Sequence, residues 1–96
     1  MAKRMIERRL VDTGDRLKKL RAELAVADEQ CSHFDTEADD ARLRAMVSET
    51  PLSEREFRDA QRHADAMRRH REDLDGEIGQ LERQLDELLD KLTAGG

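Results

Sequence analysis

The chain has no tryptophan or tyrosine, and only two phenylalanines, one proline and one cysteine among its 96 residues. So few large side chains leave little to fill a globular core. The lone Cys31 excludes a disulfide within the chain and suits a reducing compartment. No apolar run approaches the roughly 20 residues that a membrane-spanning helix needs. The opening Met-Ala-Lys-Arg-Met-Ile-Glu-Arg-Arg lacks the apolar centre of a secretory signal. A cytoplasmic location and no membrane contact are therefore expected. There is also no glycine-rich phosphate loop, no closely spaced Cys/His set and no setting for a nucleophilic serine. His33 and His63 fall roughly level on the two arms described below, yet the tight spacing of a zinc site is missing. Catalysis, a cofactor and a metal are not expected.

What is present is charge, 43% of the residues, on a background of Leu, Ala, Glu and Arg. That is the composition of long helices. Disorder is the rival reading of so polar a chain, but two apolar stripes oppose it. The first runs Ile6, Leu10, Thr13, Leu17, Leu20, Leu24, Ala27, Cys31, Phe34, Ala38, Ala41, Ala45. The second runs Phe57, Ala60, Ala64, Met67, Arg71, Leu74, Ile78, Leu81, Leu85, Leu88, Leu92. Both alternate steps of four and three, the seam of a left-handed coiled coil. Folding back near residue 49 sets Ile6 against Leu92, Leu10 against Leu88, Leu20 against Ile78 and Leu24 against Leu74. Phe34 then meets Ala64 and Phe57 meets Ala41, large against small. Arg71 interrupts the seam opposite Ala27, and its stem can carry the charge out to Glu23 or Asp28.

The predicted architecture is all-α: a two-helix antiparallel coiled-coil hairpin forming a single domain, with pairing into a four-helix dimer an option. Helix one is expected over about residues 3–48, the turn over 49–52, helix two over about 53–92 and a flexible tail over 93–96. Ser32 to Thr36 is the least helical stretch, although the stripe keeps phase across it. Pro51 turns Thr50 away from helical dihedrals. Ser53 reads as the N-cap of helix two, with Glu56 completing a capping box and Leu52 and Phe57 at the positions of a hydrophobic staple.

Residues 1–21 carry eight Lys/Arg against three Asp/Glu, and residues 72–92 carry eight Asp/Glu against two Lys/Arg. A hairpin lays these segments side by side, so the basic opening reads as a pairing face and direct nucleic-acid binding is not expected. Residues 22–56 hold ten Asp/Glu against three Lys/Arg, an acidic region around the turn. Leu43, Met46 and Val47 lie off the seam. They could fold over the turn with Leu52 or face a partner. The candidate partner-binding residues are Asp39, Asp40, Glu49, Glu54 and Glu56 as charged contacts, with Leu43 and Val47 as apolar anchors.

Two segments carry a family likeness. Thr13-Gly14-Asp15-Arg16-Leu17-Lys18-Lys19-Leu20-Arg21-Ala22-Glu23-Leu24 has a Thr and Gly ahead of a Leu-rich helix ending in Glu-Leu. Leu52-Ser53-Glu54-Arg55-Glu56-Phe57 is followed by Ala60. They resemble the opening and the tip of the coiled-coil domain of bacterial Gre-type transcript-cleavage factors, which are built like the DksA/TraR regulators. The resemblance implies a hairpin that enters the RNA polymerase secondary channel. Thr50-Pro51 stands where that family has Gly-Asp, so the leading tip carboxylate has no counterpart, while Glu54 carries over directly. The functional expectation is a non-enzymatic, protein-binding regulator that contacts RNA polymerase or a sigma factor. The alternative is a structural oligomerisation element in which the seam is the whole function.

Overall fold

With no proline before Pro51 and few β-branched residues, nothing halts the first helix once it has formed. In the computed structural model, which describes residues 2–94, α1 runs Ala2–Ser48 and α2 runs Pro51–Ala94. The two form a helical hairpin with no strand among the described residues. α1 passes through Ser32–Thr36 without a break. The Thr36 hydroxyl donates to the Ser32 carbonyl oxygen at 2.9 Å, so its competing hydrogen bond is satisfied inside the helix. α2 begins at Pro51 rather than at Ser53 and continues through Thr93 and Ala94, where a tail was expected. The rest of that expected tail, Gly95 and Gly96, lies outside the described residues. No described helix is long and apolar enough to cross a membrane.

The chain packs as two units, each with one segment of either helix. The terminal unit joins the part of α1 up to Leu24 to the part of α2 from Leu74. Its core is made of large aliphatic side chains: Leu17 and Leu20 from α1, and Leu74, Ile78 and Leu88 from α2, are buried. Ile6 and its expected partner Leu92 line one cleft together with Lys3 and Lys91. On one flank of this seam Arg16 donates to Glu77 at 3.0 Å, an interhelical pair across the edge of the seam. Leu10, Leu81 and Leu85 stay half-buried, since two helices enclose a seam from only two sides.

The distal unit, Ala25–Asp73, is built differently. Its buried apolar residues are all small: Ala27, Cys31, Ala38, Ala41, Ala45 and Ala64. The larger Phe34, Phe57 and Met67 are half-buried. Phe34 stacks on His63, beside its expected partner Ala64, with ring centroids 6.0 Å apart. Arg71 is half-exposed, and its guanidinium lies 3.8 Å from Asp28, so the charge leaves the seam as expected, toward Asp28. On the same unit Arg68 donates to Asp35 at 3.2 Å.

Burial sets the expected response to mutation. Leu20→Ala removes a fully buried side chain and should lower the unfolding free energy by about 2–5 kcal/mol. Gly76→Ala should raise it by up to about 1 kcal/mol, because a helix-interior glycine is replaced where a Cβ would meet nothing within 4 Å. Urea denaturation followed by circular dichroism checks both, and a stabilising or neutral Leu20→Ala would contradict the seam.

Candidate functional site

The turn leaves only Glu49 and Thr50 between the helices. Glu49 adopts the left-handed conformation at φ 50°, and its N–H donates to the Ala45 carbonyl at 3.0 Å. That is the single-bond C-cap more often built on glycine. Thr50 is the N-cap of α2. Its carbonyl accepts from the Glu54 N–H at 3.1 Å, and its hydroxyl oxygen accepts from the Ser53 N–H at 3.1 Å. Ser53 answers: its hydroxyl oxygen accepts from the Thr50 N–H at 3.2 Å and from the Thr50 hydroxyl at 2.9 Å, and donates to the Thr50 carbonyl at 3.0 Å.

Ser53 is therefore not the N-cap, and Glu56 does not complete the capping box. The cap lies three residues earlier, Pro51 takes the first helical position that suits its missing N–H, and Ser53 closes the box. The expected staple is also absent: Leu52 is 62% exposed and Phe57 half-buried. Ser53 can take over the glutamate's place because it points into the seam, where it is the only buried polar residue among those described.

This turn distributes the candidate residues over three surfaces. Asp39, Asp40, Leu43 and Val47 fall at three- and four-residue spacings on α1, away from the seam, and Met46 joins them. Leu43, Met46 and Val47 are 54%, 63% and 85% exposed. They do not fold over the turn but stand in solvent. Glu56 lies on a flank of the seam, in a groove of about 270 Å³ shared with Glu37, Asp40, Ala41, Arg44 and Ala60. Asp40 and Glu56 are thus brought together. Glu49 and Glu54 sit on the opposite flank, in heptad phase with Asp35 and Arg68. Glu54 is also in the first turn of α2, where the helix N-terminus favours a negative charge.

Among the described residues none of Asp39, Asp40, Arg44, Glu49, Glu54 and Glu56 takes part in an ion pair. The acids farther from the turn behave otherwise, Asp28 and Asp35 being matched by Arg71 and Arg68. Sequence reasoning singled out the acids but passed over Glu37 and Arg44 of the groove. The signal was available, for both occupy the same flanking heptad position as Glu56 on the facing helix. His33 lies 3.3 Å from Glu37, and both His33 and His63 pack against the Phe34 ring. No group of three or more His, Cys, Asp or Glu able to hold a metal occurs among the described residues.

Thr50→Ala removes the cap and should cost about 1 kcal/mol, whereas Glu49→Gly relieves the left-handed residue and should add about 1 kcal/mol. Thermal unfolding of the two variants would show opposite shifts, and shifts of one sign would refute the assignment of the turn. A comparison of the chain with family models, curated proteins and solved structures finds no match.

Proposed function

We propose that the chain is a non-enzymatic protein-binding module that engages its partner through the turn and the adjoining outward face of α1. The observation that carries this reading is the combination at that place of exposed Leu43, Met46, Val47 and Leu52 with carboxylates that have no ion-pair partner among the described residues. Burying apolar side chains supplies affinity, and unmatched charges at the rim supply orientation and encounter rate. The complementary partner surface is an apolar groove rimmed by Lys and Arg. The resemblance of Leu52–Phe57 to the tip of Gre-type hairpins narrows that partner, within this proposal, to RNA polymerase or a sigma factor. Thr50-Pro51 in place of Gly-Asp goes with binding rather than metal-dependent transcript cleavage.

Binding of the chain to purified RNA polymerase core enzyme and to sigma factor tests the proposal directly. Paired charge reversal, Glu54→Lys with Glu56→Lys, should weaken binding at least about tenfold and reduce its salt dependence, with helicity unchanged. Leu43→Ser with Val47→Ser should weaken it comparably. Binding that is indifferent to both pairs would refute use of the turn. Absence of binding to either protein would refute the transcriptional assignment.

A further inference from the structure

The flank of the seam opposite the Arg16–Glu77 pair is charged or polar along nearly its whole length. Every seventh residue from Glu7 to Glu49 lies on it from α1, and every seventh residue from Glu54 to Leu89 lies on it from α2. Gly14 and Leu89 are the only members of either series that are neither charged nor glutamine. Both belong to the terminal unit. Because Arg16 and Glu77 meet on one side of that seam, Gly14 and Leu89 share the other side. Around them the apolar surface widens. Val11, one turn before Gly14, is 62% exposed, and Leu89 is 45% exposed. Leu10 and Leu85, one turn before Gly14 and Leu89 on their helices, are half-buried at the same edge. A Cβ placed on Gly14 would meet nothing within 4 Å, so no group among the described residues fills the space above it. A glycine here weakens the helix, and packing within the chain does not require it.

We infer that this gap is a self-association surface and that its occupant is the same edge of a second copy of the chain. Charge selects that occupant. Beside the gap α1 presents Lys18 and Arg21, and α2 presents Glu82 and Asp86. These belong to segments of strong opposite charge, eight Lys/Arg against three Asp/Glu over residues 1–21 and eight Asp/Glu against two Lys/Arg over residues 72–92. A two-fold axis parallel to the helices lays α1 of one copy along α2 of the other. Basic then faces acidic on both sides of the apolar centre. An unrelated partner would have to reproduce this bipolar pattern, whereas a second copy supplies it by symmetry, which an isologous interface demands. The result is a four-helix bundle in which each seam is closed on its open side, with Leu89 of one copy received at the bare backbone of Gly14 of the other.

Sedimentation equilibrium and light scattering over a dilution series test this in the full chain. The wild-type protein should reach twice the chain mass at micromolar concentration. Leu89→Glu gives the flank the charge it carries elsewhere and should weaken association at least about tenfold. Gly14→Glu should do the same while raising helicity, so its effect cannot be attributed to a damaged fold. Val26→Glu, at an exposed position of the distal unit, should leave association unchanged. A wild-type protein that stays monomeric throughout would overturn the inference. So would unchanged association in Leu89→Glu and Gly14→Glu, or equal loss in Val26→Glu. None of these outcomes bears on partner binding at the turn.

Discussion

A two-helix protein has one interface in which to bury apolar surface, and each part of this structure answers to that limit. There is no third layer to cover a misplaced side chain, so every turn of both helices must contribute a residue to the seam or lose contact with its neighbour. The alternating four-and-three spacing does this along both helices, with Thr13 and Arg71 its polar members. In the terminal unit the seam is filled by Leu and Ile, where burial of each side chain is worth about 1.5–3 kcal/mol. In the distal unit it is filled mainly by Ala, which contributes less area but lets helix backbones come close. One interface then asks two things of the sequence: large side chains where stability is held, and small ones where the chain must reverse within two residues.

Apolar pairing alone would tolerate several registers, because leucine meets leucine at many offsets. Charge removes the alternatives. In the terminal unit the arginine of the observed pair comes from α1, as Arg16 to Glu77. In the distal unit the arginines come from α2, as Arg68 to Asp35 and Arg71 to Asp28. Each helix thus changes sign along its length, and the two change in opposite senses. A parallel arrangement of two such chains would set like charges beside each other in both segments. Each exposed pair is worth only about 0–1 kcal/mol, so these pairs add little to stability and act chiefly by penalising the wrong partners.

The seam was legible in the sequence because periodicity and burial have the same cause. Leu17, Leu20, Ala27, Cys31, Ala38, Ala41, Ala45, Ala64, Leu74, Ile78 and Leu88 are all members of the two stripes, and all are buried. The departure of Arg71 toward solvent was legible too, since a long stem opposite Ala27 has only one way out. The cap of α2 falls at Thr50 rather than Ser53 for a specific reason. Thr50 and Ser53 are both good capping residues, and Glu56 three places after Ser53 completes a familiar pattern. What distinguishes them is tertiary: Ser53 is needed in the seam against α1, and a residue buried there cannot also be the half-exposed cap. The left-handed Glu49 carried no sequence signal, because that conformation is usually announced by glycine or asparagine. The acidic region around the turn was legible as composition only. Pairing, which composition does not encode, separates Asp28 and Asp35, matched across the hairpin, from the unmatched acids near the turn.

The misplaced cap bears on function as well as on local geometry. Had Glu56 closed the capping box, its carboxylate would be committed to the backbone at the start of α2. With Ser53 in that role the N–H and hydroxyl groups of Thr50 and Ser53 and the Thr50 carbonyl bond to one another, with Ser53 buried in the seam and no acidic side chain engaged. Glu56 is left in the groove with Asp40, Glu37 and Arg44, and Leu52, no longer a staple, stands exposed beside Val47's end of α1. A turn held by two small hydroxyl side chains thus frees its charged and apolar groups at once. A docking surface needs both conditions: a backbone that does not have to be reordered on binding, and side chains with no prior partner to give up.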